Sequence, residues 1–280
     1  MYGDGSGNEA SETVGRDARH SATKAAPADG APTRYRAPAL DKGLDILELL
    51  AGEPAGLTRS EIVRAMHRSP SEIYRMIERL VARRYVARSA EGDRYSLTMK
   101  LFILGAAHPP VRRLVTQAQP LMDAFASETM QSAHLVVNEG PHAVVVAQAS
   151  HQANWEFRLR VGAQLDMLDT GSGQTLLAFQ DADTRARILR AAQPPCPTMP
   201  EALLETSLAQ VRAAGHRIAP SKQLVGVTDI SVPVFAPDGN AVAVLTCPHI
   251  DRVGAARALA ATVDGALENL QRVAERLTLP

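Results

Sequence analysis

The sequence predicts an α+β protein built as two domains joined by a helix, and three observations carry that prediction. First, residues Thr58 to Arg88 read as helix, short polar turn and helix, and a strand–turn–strand pattern follows at once. Second, from about residue 111 onward strand and helix signals alternate with hairpin turns between them, which fits a mixed sheet with helices rather than a doubly wound one. Third, the composition changes at Pro38: before it lie Gly, Ser, Ala, Asp, Glu and Arg with almost no large apolar side chain. Residues 1–37 therefore read as a disordered tail, because too little apolar surface is available to offset the entropy of ordering.

A chain of 280 residues with 45% apolar content can fill two ordinary hydrophobic cores. Its formal net charge is zero, but the charge is unevenly spread. Between Arg59 and Arg94 there are nine arginines against five acids, an excess of four. A local basic face is what contact with phosphate requires, whatever the total. The two cysteines, Cys196 and Cys247, are far apart with no ligand spacing around them, which argues against a disulfide scaffold or a zinc site. No stretch reaches the length of a membrane helix and the N-terminus lacks an apolar signal core, so a soluble cytoplasmic protein is expected.

The folded chain is expected to open with a helix in which Leu40, Leu44, Leu47 and Leu50 repeat at helical spacing, ending at Gly52-Glu-Pro-Ala-Gly56. Thr58 caps the next helix. Ser69 is placed to cap the third, with Pro70 in its first turn and Glu72 completing a capping box. Ile62, Val63, Met66, Ile73, Ile77 and Leu80 then face inward, leaving Arg68, Ser71, Tyr74, Arg75 and Arg79 outward. Tyr85–Ser89 and Arg94–Thr98, around Glu91-Gly-Asp93, form a β-hairpin wing. Residues 38–98 thus make a winged helix-turn-helix. A helical segment over 99–110 follows as the linker, with a second helix from Val111 to about Met130. Over 111–280 the strands are expected at Ala133–Asn138, Ala143–Ala149, Glu156–Arg160, Thr228–Phe235 and Ala241–Cys247. Helices are expected at Gly173–Phe179, Thr184–Ala192, Glu201–Ala214 and Val253–Arg276.

The winged helix-turn-helix, together with Leu168-Asp-Thr-Gly-Ser-Gly-Gln-Thr-Leu-Leu-Ala-Phe179 and Gly226-Val-Thr-Asp-Ile-Ser-Val-Pro-Val234, resembles the IclR family of bacterial transcriptional regulators. The resemblance runs from Ala39 to the C-terminus. It implies a DNA-reading N-terminal domain, a linker helix and a GAF-like α/β effector-binding domain. It also implies dimers that pair into tetramers, and small carboxylated or aromatic effectors. Three positions depart from the family's habit: His67 replaces a turn glycine, Gln174 a lysine and Ala219 an acid.

On the DNA side, arginine offers a planar fork for guanine or phosphate, and Arg75, one turn into the second helix of the motif, is the strongest base-reading candidate. Ser71 and Tyr74 suit phosphate or a base edge, Arg94 on the wing suits the backbone, and Arg68, Ser69 and Arg79 complete the set. Arg34, Tyr35 and Arg36, at the end of the tail, are within reach of a backbone or minor groove. On the effector side, Gly171, Ser172 and Gly173 open a helix whose free amides attract an anion. By resemblance alone the pocket also takes in Phe157, Leu165, Asp229, Thr246 and Pro248. No cofactor, metal or catalytic group is expected: the chain has no His-Glu-x-x-His and no Gly-x-Ser-x-Gly, and its histidines are scattered singly. The partners expected are an operator duplex, a small molecule and a second copy of the chain. The competing classes are an enzyme, or a small-molecule sensor without specific DNA binding.

Overall fold

The computed structural model describes residues 37–107, 109–151, 157–192 and 200–278, which part into two compact units with the division between Leu101 and Phe102. Arg34–Arg36 and the rest of the expected tail up to residue 36, along with Glu156 and Cys196, lie outside the described residues.

The first unit runs α1 (Pro38–Ala51), β1 (Leu57–Thr58), α2 (Arg59–Met66), α3 (Pro70–Ala82), β2 (Val86–Arg88), β3 (Arg94–Leu97) and the start of α4 (Lys100–Ala106). Pro38 sits at the first turn of α1, where its missing N–H leaves nothing unsatisfied. Ile46 and Leu50 of α1 meet Ile62, Ile73, Ile77, Val86 and Tyr95 in one core. Leu40 and Leu44 share the helical repeat but stay 61% and 48% exposed, so the apolar face of α1 is wider than the core that uses it.

Thr58 forms the full capping box of α2: its hydroxyl accepts the Glu61 amide at 3.3 Å, and the Glu61 carboxylate accepts the Thr58 amide at 2.7 Å. The box expected at Ser69 and Glu72 is not formed. Ser69 presents its hydroxyl to Ser71 Oγ at 3.4 Å and makes no cap bond, while Lys42 of α1 donates to Glu72 at 2.6 Å. Glu72 keeps its contact with Ser69 alongside the ion pair with Lys42, and only the Ser69 side-chain cap bond is missing. His67 ends α2 with φ +50° and ψ +42°, the left-handed conformation that favours glycine. The wing order is β1-β3-β2. Here Gly56 is obligatory, since a β-carbon on it would lie 2.5 Å from Tyr95 O.

The second unit adds α5 (Pro109–Thr129), β4 (Ala133–Glu139), β5 (His142–Ala149), β6 (Gln164–Asp166), α6 (Gly171–Ala178), α7 (Ala182–Ala191), α8 (Glu201–Ala214), β7 (Arg217–Pro220), β8 (Val227–Phe235), β9 (Ala241–Ile250) and α9 (Val263–Leu277). α4 ends at Ala106 and Pro109 begins α5, as proline's fixed φ suits a first turn. The strands form an antiparallel sheet in the order β6-β5-β4-β9-β8-β7. One face packs α5 and α9 through Met122, Phe125, Leu135, Leu245 and Leu270. The other packs α6, α7 and α8 through Val136, Val244, Leu176, Ile188 and Leu208.

Three expectations change. Residues 157–160 carry no strand; the edge is β6, reached through a turn in which Gly162 donates to Val145 O at 2.7 Å. Arg217–Pro220 is a strand that the sequence reading left out. The long helix over Val253–Arg276 is divided into a 3-10 turn, Gly254–Ala258, and α9, capped anew by Thr262. Among the described residues no helix is long and apolar enough to cross a membrane.

Candidate functional site

The candidate DNA-reading surface follows from the amphipathicity of α3. Ile73 and Ile77 are buried on one side, so Ser71, Arg75 and Arg79, spaced four apart, line the other, and all three are exposed. Arg68 and Ser69 are exposed in the turn before them. Among the described residues Arg75 has no ion pair or hydrogen-bond partner, which leaves its fork open. Tyr74 is 44% exposed, and Arg59 lies over its ring at 4.9 Å. Arg59 was missed in the sequence. Its signal was its place at the start of α2, where a cation opposes the helix dipole and so needs another reason to be there.

Arg94 is corrected. Its guanidinium donates to Ala55 O and Gly56 O, each at 3.2 Å, and lies 3.6 Å from Glu61. The side chain ties the wing to the α1–α2 turn. Glu72 is the converse case: Lys42, then Ser69, hold its carboxyl below the usual range, so a carboxylate at the front of the reading helix is already matched by a cation.

In the second unit, α6 starts over the sheet and every one of its residues is buried. Asp166 Oδ1 accepts the Leu168 and Asp169 amides at 2.7 and 2.8 Å, which turns the chain from β6 into the helix. Thr170 caps it by accepting the Gly173 amide at 3.1 Å. A β-carbon on Gly173 would lie 2.5 Å from Met167 Cα and 2.6 Å from its carbonyl oxygen. The turn therefore requires a glycine here. Gly171 differs: a β-carbon there would meet Ser231 Oγ at 3.1 Å, Asp229 Cβ at 3.2 Å and Arg217 Nη1 at 3.3 Å, so this glycine looks onto a polar cluster.

Register explains the cluster. His134 of β4 pairs with Thr246 of β9, Thr246 with Ser231 of β8, and Ser231 with Arg217 of β7. Directly paired residues share a face, so four strands present one polar row beneath α6. Gln148 of β5 extends it, paired with His134. Its Nε2 is buried without a hydrogen-bond partner among the described residues. Within the row, Ser172 Oγ and Thr246 Oγ1 are 2.9 Å apart, as are Thr246 Oγ1 and Ser231 Oγ, and His134 Nε2 lies 3.3 Å from Ser172 Oγ. Burial pushes His134 down to about 4, so the ring is neutral at ordinary pH. A hydroxyl chain ending on a neutral imidazole can run its donors in either direction.

The charges sit at the other end. Arg217 Nε donates to Gln174 Oε1 at 3.1 Å, and Gln174 is itself fixed by Leu168 O at 2.6 Å and by the Ser207 hydroxyl at 3.3 Å. Asp229 is the cross-strand partner of both Ala219 and Pro248. Burial raises the Asp229 carboxyl, opposed by the Ser221 hydroxyl and the Arg217 charge; burial lowers Arg217, opposed by Asp229. Two departures noted in the sequence have a charged neighbour in space. Arg217 stands at Gln174, and Asp229 is paired opposite Ala219.

Of the predicted effector residues, Gly171, Ser172, Asp229 and Thr246 converge here, with Pro248 buried beside Asp229. Gly173 belongs to the turn. Leu165 packs on the apolar cluster under α6 from the edge strand, and Phe157 is half-buried in an irregular segment; neither joins the row. His134, Gln148, Gln174, Arg217 and Ser231 were missed, although a polar residue inside an apolar strand is a visible signal at 134 and 231.

With both sites described, likeness to known proteins decides the family. The IclR helix-turn-helix domain matches residues 39–90, and the C-terminal domain of the bacterial transcriptional regulator IclR matches residues 110–277. The chain belongs to the IclR family. It is similar to the HTH-type transcriptional regulator KdgR of Escherichia coli K12, 30% identical over 73% of this chain and 79% of that one. It is also 29% identical to the regulator BhcR of Paracoccus denitrificans, over 73% and 75% respectively. The fold matches that of an IclR homolog from Microbacterium hydrocarbonoxydans complexed with 4-hydroxybenzoate. That match has a TM-score of 0.69 and 23% identity, covering 86% of this chain and 97% of that one. As an IclR-family member the protein is a transcriptional regulator, with a helix-turn-helix for DNA and a C-terminal domain for an effector.

Proposed function

We propose that the effector is a small carboxylate held over the polar row at the start of α6, and that Ser71, Tyr74, Arg75 and Arg79 form the DNA-reading face, with Arg68 and Ser69 positioned for phosphate. The observation that carries the effector reading is the row itself: His134, Ser172, Ser231 and Thr246 are at least nine-tenths buried, where apolar side chains would pack more simply. The crystallised relative with bound 4-hydroxybenzoate supports a carboxylate as the ligand class. A dimer would set two α3 helices on two half-sites of an operator, and the exposed Phe102, Ile103 and Leu104 of α4 are apolar surface that a second copy could cover. Ligand preference for one of two dimer states then changes DNA occupancy. We assign the protein to the cytoplasm, where operator DNA lies, and give it no catalytic role.

The test is a salt-dependent electrophoretic shift with the regulator's own upstream DNA. Specific retardation is expected, weakened by about 1–3 kcal/mol in Arg75→Ala with no change in melting temperature. Retardation that survives Arg75→Ala unchanged would remove that residue from the reading face. Absence of any specific shift would remove the reading itself.

A further inference from the structure

We infer that the second unit holds a binding site for a phosphate-type oxyanion at the start of α9, separate from the polar row beneath α6. Along β9, Leu245 and Cys247 belong to the core under α5 and α9, and His249 continues that side by strand alternation. Thr246 of the polar row points the other way. Where β9 ends, a cavity of about 160 Å³ is lined by His249, Arg252, Arg257, Thr262 and Val263, with Asp251 also among its walls. That is room for more than one water, and so for a single tetrahedral ion.

Two side chains there point to a ligand independently of the helix. His249 is 3% exposed, and its Nε2 lies 2.9 Å from Ala261 O, which can only accept. Nε2 therefore carries the hydrogen. Nδ1 makes no hydrogen bond among the described residues; the Asp251 carboxylate is 3.9 Å away and 97% exposed. Arg252 donates from Nη2 to Met130 O at 3.0 Å, which fixes the guanidinium, while its Nε is buried with no partner among the described residues. A buried donor on a charged group is costly to leave unmet. The 15-residue α9 adds to this. Thr262 takes the Gly265 amide on its hydroxyl and the Ala266 amide on its carbonyl, leaving those of Val263 and Asp264 without a helical partner. Free amides at a helix start favour an anion.

The charges favour the same class. Arg257, exposed in the 3-10 turn Gly254–Ala258, brings a second cation to the cavity. The acids nearby, Asp251 and Asp264, are both exposed, so water and salt screen them more than the partly buried Arg252. Nδ1 of His249 narrows the choice further. It accepts a hydrogen bond in the neutral ring and donates one in the charged ring. A hydrogen phosphate answers both, offering its P–OH to the first and an oxygen to the second, with other oxygens left for Arg252 and the amides. Sulfate and chloride carry no proton and suit only the charged ring. The ligand is inorganic phosphate or the phosphate group of an ester. Arg252 and the Ala261 amide are bonded to Met130 O and Thr129 O at the end of α5. A bound phosphate therefore ties α5 to β9 and α9, as a second small-molecule input to the regulator.

The experiment measures calorimetric affinity and thermal shift of the full-length chain with inorganic phosphate, glycerol phosphate, sulfate and chloride at equal ionic strength. Sulfate is the control because sulfate and phosphate both stabilise proteins without binding them. Phosphate or its ester is expected to bind about tenfold or more tightly than sulfate. Tighter binding of the ester assigns a phosphorylated metabolite, and tighter binding of inorganic phosphate assigns the free ion. Arg252→Gln should lower the affinity by about tenfold or more, and His249→Gln should narrow the preference over sulfate. If Arg252→Gln does not fold, Arg252→Lys keeps the charge, drops the Nε donor and should still lose affinity. Equal effects of phosphate, ester and sulfate overturn the inference, as does affinity that survives the loss of Arg252. Affinity that falls instead in Arg75→Ala or Arg217→Gln also overturns it, by placing the anion at one of the surfaces already described.

Discussion

The outward face of α3 and the row beneath α6 handle polar groups in opposite ways. On α3 the arginines stand in water, and Arg75 is held by nothing among the described residues. Under α6 the hydroxyls of Ser172, Thr246 and Ser231 and the imidazole are buried and bonded to one another, and Gln174 is buried and fixed by Leu168 O, Ser207 and Arg217. A surface that must grip a polyanion keeps its charges free, whereas a site that must recognise one small molecule fixes its groups beforehand. The difference predicts where substitutions are felt: in binding alone on the first surface, and in stability as well on the second.

The largest effect should come from the glycine that the buried site cannot do without. In Gly173→Ala the new methyl would fall 2.5–2.7 Å from backbone atoms of Met167 and Asp166, which cannot move aside as a flexible side chain would. Destabilisation of about 3 kcal/mol is expected, read as a lowered denaturation midpoint. Gly171→Ala, which meets mostly side-chain atoms, should cost less. Equal effects at the two positions would erase the distinction between a turn glycine and a site glycine.

How far each region was legible follows from the same contrast. The reading helix is a local object: a 3.6-residue period, a proline at its start and outward arginines can be read along one stretch. The buried row is assembled from five strands by register, and no window of sequence contains Gln148, His134, Thr246, Ser231 and Arg217 together. Gly171, Ser172, Asp229 and Thr246 were reached only through helix chemistry and family resemblance. Arg217 escaped because Arg217–Pro220 is an exposed-looking edge strand ending in proline. Lys42, which pairs with Glu72, lies thirty residues away and was equally out of reach of a local reading.

Acid offers the second test of the buried site. His134 sits at about 4 in the folded protein against an ordinary 6.5. Below pH 6.5 the unfolded chain takes up a proton that the folded chain refuses. Stability is therefore fully present above 6.5 and falls by about 1.4 kcal/mol per unit as pH drops towards 4, about 3 kcal/mol in all. Asp229, whose carboxyl is raised by burial, works in the opposite sense, so the measurement is a difference. Denaturation of the parent and of His134→Gln between pH 7 and 4.5 should diverge, the parent losing more. Parallel curves would mean that the imidazole reaches water.

The smallest effect sharpens the comparison from the DNA side, at a residue that belongs to that unit by position and to the buried pattern by its bonds. Arg94 donates to two carbonyls of the α1–α2 turn and stands near Glu61. Removing it in Arg94→Ala deprives Ala55 and Gly56 of a partner, and partial exposure lets water replace part of the loss. A destabilisation of about 1 kcal/mol is expected. DNA affinity should then keep its dependence on salt, because no phosphate contact is released. Arg79→Ala should behave the other way, with unchanged stability and a salt slope shallower by about one. If Arg94→Ala instead flattens the salt slope, the guanidinium leaves Gly56 for the backbone when DNA binds, and the wing is an active part of the grip.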